Sequence, residues 1–76
     1  MNARIVIDPD ICHGKPIIRG TRTPVTVVLG ALAAGDSFEQ IEQDYGITTE
    51  DVRACIAFAC DEVSLQTYYS LSAPSA

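Results

Sequence analysis

The residues with the most chemistry to offer are cationic and close together. The stretch Gly14 to Val25 holds Lys15, Arg19 and Arg22, three of the chain's five bases, along with two glycines and two prolines. A basic ribbon of this kind can contact phosphate oxygens or enter a nucleic-acid groove. Three phosphates neutralised per protomer correspond to a slope of roughly −2.7 in log affinity against log salt. An Arg beside Gly20-Thr21 can instead cap turn carbonyls or pair with the acids of the helices, and the residues alone leave both uses open. The candidate contact set is Lys15, Arg19, Thr21, Arg22 and Arg53. Gly14, Pro16, Gly20 and Pro24 are expected to form the turns that present it.

Other chemistry finds less support. Cys12-His13 could suggest a metal site, but its spacing to Cys55 and Cys60 fits no compact zinc pattern. Cys55 and Cys60 are five residues apart and fall on different faces of a helix. No metal site is expected. Cys12 and His13 also make a poor nucleophile and base, because neighbours in extended chain point opposite ways. Asp8 and Asp10 flank Pro9, where carboxylates ordinarily cap turns. Gly14-Lys15 lacks the spacing of a phosphate-binding loop. With one histidine and a small core, no catalysis and no cofactor are expected.

The elements that must position the cations are limited by length. The chain has 76 residues, 47% of them hydrophobic and 20% charged, a globular composition fit for a single domain. So short a chain buries only roughly 60% of its unfolded surface, so a partner can contribute much of its stability. The net charge is −5, which argues against a stand-alone nucleic-acid coat. The charge is also divided. Residues 1–22 carry four bases against two acids, whereas residues 36–62 carry eight acids against Arg53. The first part suits an anion and the second a basic partner. The longest apolar run, Pro24 to Gly35, is too short for a membrane span, and the N-terminus does not read as a signal peptide. Three cysteines, an odd number, read as free thiols in a reducing cytoplasm.

Residues 1–25 are expected to form a β-ribbon with turns, from Arg4-Ile5-Val6-Ile7 and Pro16-Ile17-Ile18-Arg19. Residues 26–66 are expected to form three helices, and 67–76 a frayed tail. The first helix, about Val25 to Ala34, is apolar on nearly all sides and so is expected to be buried on more than one face, with Gly30 allowing another backbone close. The second starts at Ser37, with Ser37 and Gln40 spaced as a capping box. It places Phe38, Ile41 and Tyr45 on one stripe and stops at Gly46. The third starts at Thr48 or Thr49 and runs to about Leu65 or Tyr68. Val52, Cys55, Ile56, Ala59 and Val63 are its expected inward face, and Glu50, Asp51, Arg53, Ala54, Ala57 and Asp61 its exposed one. Tyr68 and Tyr69 suit a dimer seam. A short helix, a turn holding Gly46 and an apolar Ile47, then a longer helix is the outline of a helix-turn-helix. The acids in the first turn of the third helix disfavour major-groove reading by it, so the ribbon is the better DNA-contacting element.

The string Gly14-Lys15-Pro16-Ile17-Ile18-Arg19-Gly20-Thr21-Arg22-Thr23-Pro24-Val25 strongly resembles domain-of-unknown-function family 433. Ile7-Asp8-Pro9, Leu32-Ala33-Ala34-Gly35, Thr49-Glu50-Asp51-Val52-Arg53-Ala54 and Ala57-Phe58-Ala59 match the same family. The resemblance covers about Ile5 to Val63. Where the family commonly shows Pro and then Leu before the third helix, this chain has Tyr45-Gly46-Ile47. The resemblance implies a mainly α fold with a short N-terminal β-ribbon and a three-helix, helix-turn-helix or winged-helix-like part. It also implies an antitoxin-like regulator that binds a PIN-like ribonuclease toxin and represses its own operon through operator DNA. A protein-interaction module without nucleic-acid binding is the other reading. A homodimer is expected, because the apolar first helix and the ribbon edge need cover.

Overall fold

The computed structural model describes the backbone of residues 3–72 and side chains as far as Leu65. A two-stranded antiparallel hairpin precedes three helices. Strand β1 (Ile5–Ile7) pairs with β2 (Pro16–Ile18) in the register Ile5 to Ile18, Val6 to Ile17 and Ile7 to Pro16. Alternation along the strands divides the ribbon into two faces. Ile5 and Ile18 join the main core, while Ile17, equally buried, lies outside that cluster. The connection between the strands includes Cys12, His13 and Gly14, all at positive φ. Two of them carry a side chain, so this turn holds strain.

Pro24 caps helix α1 (Val25–Ala33) and bridges back to Ile17. At the other end, Gly35 N–H bonds the Leu32 carbonyl and Asp36 N–H the Ala31 carbonyl, each at 3.0 Å. This is a Schellman cap, and it needs the left-handed φ of +98° that Gly35 supplies. Ser37 caps α2 (Phe38–Tyr45) by accepting the Gln40 N–H at 3.1 Å. The expected reciprocal half of that capping box is not made, because the Gln40 side-chain amide donates forward to Asp44 at 2.8 Å. The chain turns at Gly46 and enters α3 (Thr49–Ser72).

The core gathers Ile5, Ile18, Val25, Val28, Ile41, Ile47, Val52, Cys55 and Phe58. Ile47 is buried at the α2–α3 turn, as its position between the helices suggested. Four expectations need correction. Helix α1 is buried along one side only: Val25 and Val28 are inside, and Thr26, Val27, Gly30 and Ala33 face solvent. Among the described residues, no backbone of this chain comes close to Gly30, where an added Cβ would meet nothing within 4 Å. The inward face of α3 is rotated from the expected one. Ala54 and Phe58 are buried, whereas Ile56 and Val63 are 41% and 58% exposed. Helix α3 also continues beyond its expected end to Ser72, into the segment expected to fray. The rest of that segment, residues 73–76, and the Tyr68 and Tyr69 side chains lie outside what is described. Among the described residues, no helix is long and apolar enough to cross a membrane.

Candidate functional site

Four of the five expected contact residues, Lys15, Arg19, Thr21 and Arg22, lie beside the second strand. Lys15 and Arg19 lie just beyond the two ends of β2, both exposed. Lys15 has extended backbone (φ −76°, ψ 149°), so the strand's alternation puts it on the same face as Ile17 and Arg19. Four residues of extended chain separate Lys15 and Arg19 by about 13 Å. Beyond Arg19 the chain turns through Gly20 at φ +80°, a conformation that side chains disfavour. Thr21 closes this turn, since its hydroxyl donates to the Ile18 carbonyl at 2.8 Å and accepts the Thr23 N–H at 3.0 Å. Its oxygen is thus already used in shaping the loop. Arg22 follows, exposed.

Arg19, Thr21 and Arg22 line one groove, of about 680 Å³, with Val6, Ile7, Pro9 and Ile11 as apolar wall. Arg19 is steadied by two bonds to the N-terminal segment: its N–H reaches the Arg4 carbonyl at 2.7 Å, and its Nε donates to the Ala3 carbonyl at 2.8 Å. Its guanidinium therefore performs the turn-capping role while remaining exposed. The Arg22 carbonyl accepts the Cys12 thiol at 3.5 Å, which ties the strained turn to the cationic one. The side chains of Lys15, Arg22 and Arg53 are exposed, with no hydrogen bond or ion pair to the described residues. Arg53 stands apart on α3 and does not line the groove.

A second polar centre, at the start of α3, was missed from sequence. Thr48 and Asp51 form a capping box: the Thr48 N–H donates to Asp51 Oδ2 at 3.0 Å, and the Asp51 N–H to Thr48 Oγ1 at 3.2 Å. Asp51 Oδ1 accepts Arg4 Nη1 at 3.0 Å, which pins the ribbon to the helix. Thr49 donates its hydroxyl to Glu42 on α2 at 2.9 Å. The expectation of an exposed Asp51 is therefore wrong, since its side chain is only 13% exposed. Burial alone would raise its pKa, but the Thr48 N–H, the Arg4 guanidinium and the Thr48 hydroxyl together hold the carboxyl below its ordinary value. A threonine followed three residues later by an acid was the sequence signal for the cap. Nothing local announced Arg4, 47 residues away.

The thiols are separate. Cys12 is half-buried, Cys55 buried and Cys60 exposed. Burial, and secondarily the Asp51 charge, push the Cys55 thiol up to about 11, so it carries little thiolate at neutral pH. Among the described residues, no three of His, Cys, Asp and Glu come together as a metal site.

Comparison with known proteins places this arrangement in a lineage. A Mycobacterium tuberculosis (strain H37Rv) protein named "Putative antitoxin VapB45" is 38% identical over 52 residues, covering 68% of this chain and 22% of that protein. "Uncharacterized protein y4eO" of Sinorhizobium fredii (strain NGR234) is 36% identical over 56 residues, 72% of this chain and 25% of that protein. The chain thus spans about a quarter of the length of the curated relatives it matches. Among solved structures, Rv2018 from Mycobacterium tuberculosis superposes with a TM-score of 0.63 at 36% identity, over 68% of this chain and 24% of that one. A DUF433 member from Anabaena variabilis superposes with a TM-score of 0.74 at 28% identity, over 82% of this chain and 62% of that one. The family model described as "Protein of unknown function (DUF433)" matches residues 5–59, a span that contains both the cationic turn and the Arg4-bound carboxylate of Asp51. By that match and by its relatives, the chain belongs to the DUF433 family.

Proposed function

We propose that this chain is a non-catalytic, antitoxin-like regulatory module of the cytoplasm, acting as a homodimer. Its ribbon cations hold the phosphate backbone of operator DNA, and its acidic helices hold a basic toxin of the PIN-like ribonuclease class. The observation that carries the DNA contact is the solvent exposure of Lys15, Arg19 and Arg22 on and beside one ribbon strand. The antitoxin character rests on the relative named VapB45. The α2–turn–α3 segment has the outline of a helix-turn-helix. Its Asp51 charge is already answered by Arg4, which leaves Glu50 and Arg53 as the exposed charged groups near the α3 N-terminus. That near-neutral balance makes α3 a weaker phosphate contact than the ribbon.

Glu50 also favours a second reading, a protein-interaction module that meets no nucleic acid. Mobility shift of the upstream promoter region, at low and moderate salt, separates the two. The DNA reading expects a shift whose log affinity falls with log salt at a slope of roughly −2.7 per protomer, reduced by about 0.9 in Arg22→Gln. No shift at any salt, with or without the neighbouring gene product, leaves the interaction module. Copurification with an adjacent small nuclease that loses activity in the complex supports the toxin partner, and failure to form a complex removes it.

A further inference from the structure

Helix α3 carries apolar residues on two sides, and among the described residues only one of them lies in the core. Val52, Ala54, Cys55 and Phe58 are in the core. Ile56 and Val63 are 41% and 58% exposed, and Cys60 is exposed. Arg53, Ile56, Cys60 and Val63 follow one another at three, four and three residues, so they form one line along the helix. Exposed Glu50, Ala57, Asp61 and Ser64 border that line on the side away from the core.

We propose that this line is a dimer seam, on which a second copy of the chain lays its own α3 antiparallel, with the two-fold axis at Ala57. This deepens the dimeric part of the function proposed above. Charge complementarity selects both direction and register. Residues 53 and 61 lie four positions on either side of Ala57. The axis therefore sets Arg53 of each copy level with Asp61 of the other, twice by symmetry. Glu50 comes level with Ser64, so no like charges meet on that flank. A parallel pair would instead set Arg53 level with Arg53 and Asp61 level with Asp61. In the antiparallel register the apolar line also interdigitates. Ile56 of the second copy falls between Ile56 and Cys60, and its Cys60 falls between Arg53 and Ile56.

Sedimentation equilibrium of the full chain tests the seam. The wild type is expected to be dimeric at tens of micromolar. Arg53→Glu and Ile56→Glu are each expected to raise the dimer dissociation constant by about tenfold or more, with helical circular dichroism unchanged. The double variant Arg53→Glu with Asp61→Arg is expected to restore the dimer. A monomeric wild type overturns the seam and the dimer of the proposed function together. A dimer that survives both single substitutions, or a double variant that does not recover, overturns the seam alone. If Ile56→Glu loses helical content, the Arg53 and Asp61 variants decide.

Discussion

Replacing Asp51 with Asn leaves an oxygen for the Thr48 N–H but removes the charge. In the native chain one carboxylate oxygen accepts that N–H and the other accepts Arg4 Nη1, each at 3.0 Å. Weakening a charged cap to a neutral one costs roughly 0.5 kcal/mol. The Arg4 pair contributes about 0.2–1 kcal/mol, kept low because the Arg4 side chain is 51% exposed and screened. A carboxylate in the first turn of a helix adds roughly 0.3–1 kcal/mol through the helix dipole. Asp51→Asn is therefore expected to cost about 1–2.5 kcal/mol at pH 7. With a urea slope of about 1 kcal/mol per molar, the unfolding midpoint should fall by about 1–2.5 M. The pH dependence fixes the cause. The folded pKa of Asp51 lies below that of an ordinary aspartate, so its stabilisation is fully present above the ordinary value and is lost as pH falls through the folded pKa. The gap between native and variant chains should be constant from pH 7 to pH 5 and should close under further acidification. A gap that persists at pH 2, or no gap at pH 7, refutes this account of Asp51.

Ile41 is fully buried at the centre of the core, so Ile41→Ala should lower stability by about 2–5 kcal/mol and leave little folded protein to melt by circular dichroism. A loss below about 1 kcal/mol would mean the site collapses without a cavity. Gly20→Ala meets no steric neighbour but must hold φ at +80°, so a loss of about 1–2 kcal/mol in urea unfolding is expected from backbone strain alone. Alkylation at pH 8 followed by peptide mapping should label Cys60 in the native state and spare Cys55, whose thiol is buried and pushed up to about 11. Native labelling of Cys55 as fast as Cys60 contradicts that burial.

Much of the local structure was legible because its causes are local. Pro9, Gly20 and Pro24 punctuate the ribbon, Ser37 caps α2, and Gly35 and Gly46 end the helices before them. Each device acts within a few residues, so pattern and propensity suffice to find it. The cationic turn was legible for the same reason, since Lys15, Arg19 and Arg22 are presented by their own short segment. Hydrophobic periodicity showed that α3 has apolar residues on much of its surface, but not which side its own core would take. Ile56 and Val63 fit the helical period as well as Ala54 and Phe58 do.

The amino-acid order by itself determined the hairpin, the three helices and the split of charge between a basic ribbon and acidic helices. These follow from backbone preferences and near-neighbour spacing. Only the tertiary structure decided the rotation of α3, the one-sided burial of α1 and the pairing of Arg4 with Asp51. Such choices depend on surfaces that meet only when segments distant in the chain pack together, and the energy of that packing leaves no trace in the spacing of neighbouring residues.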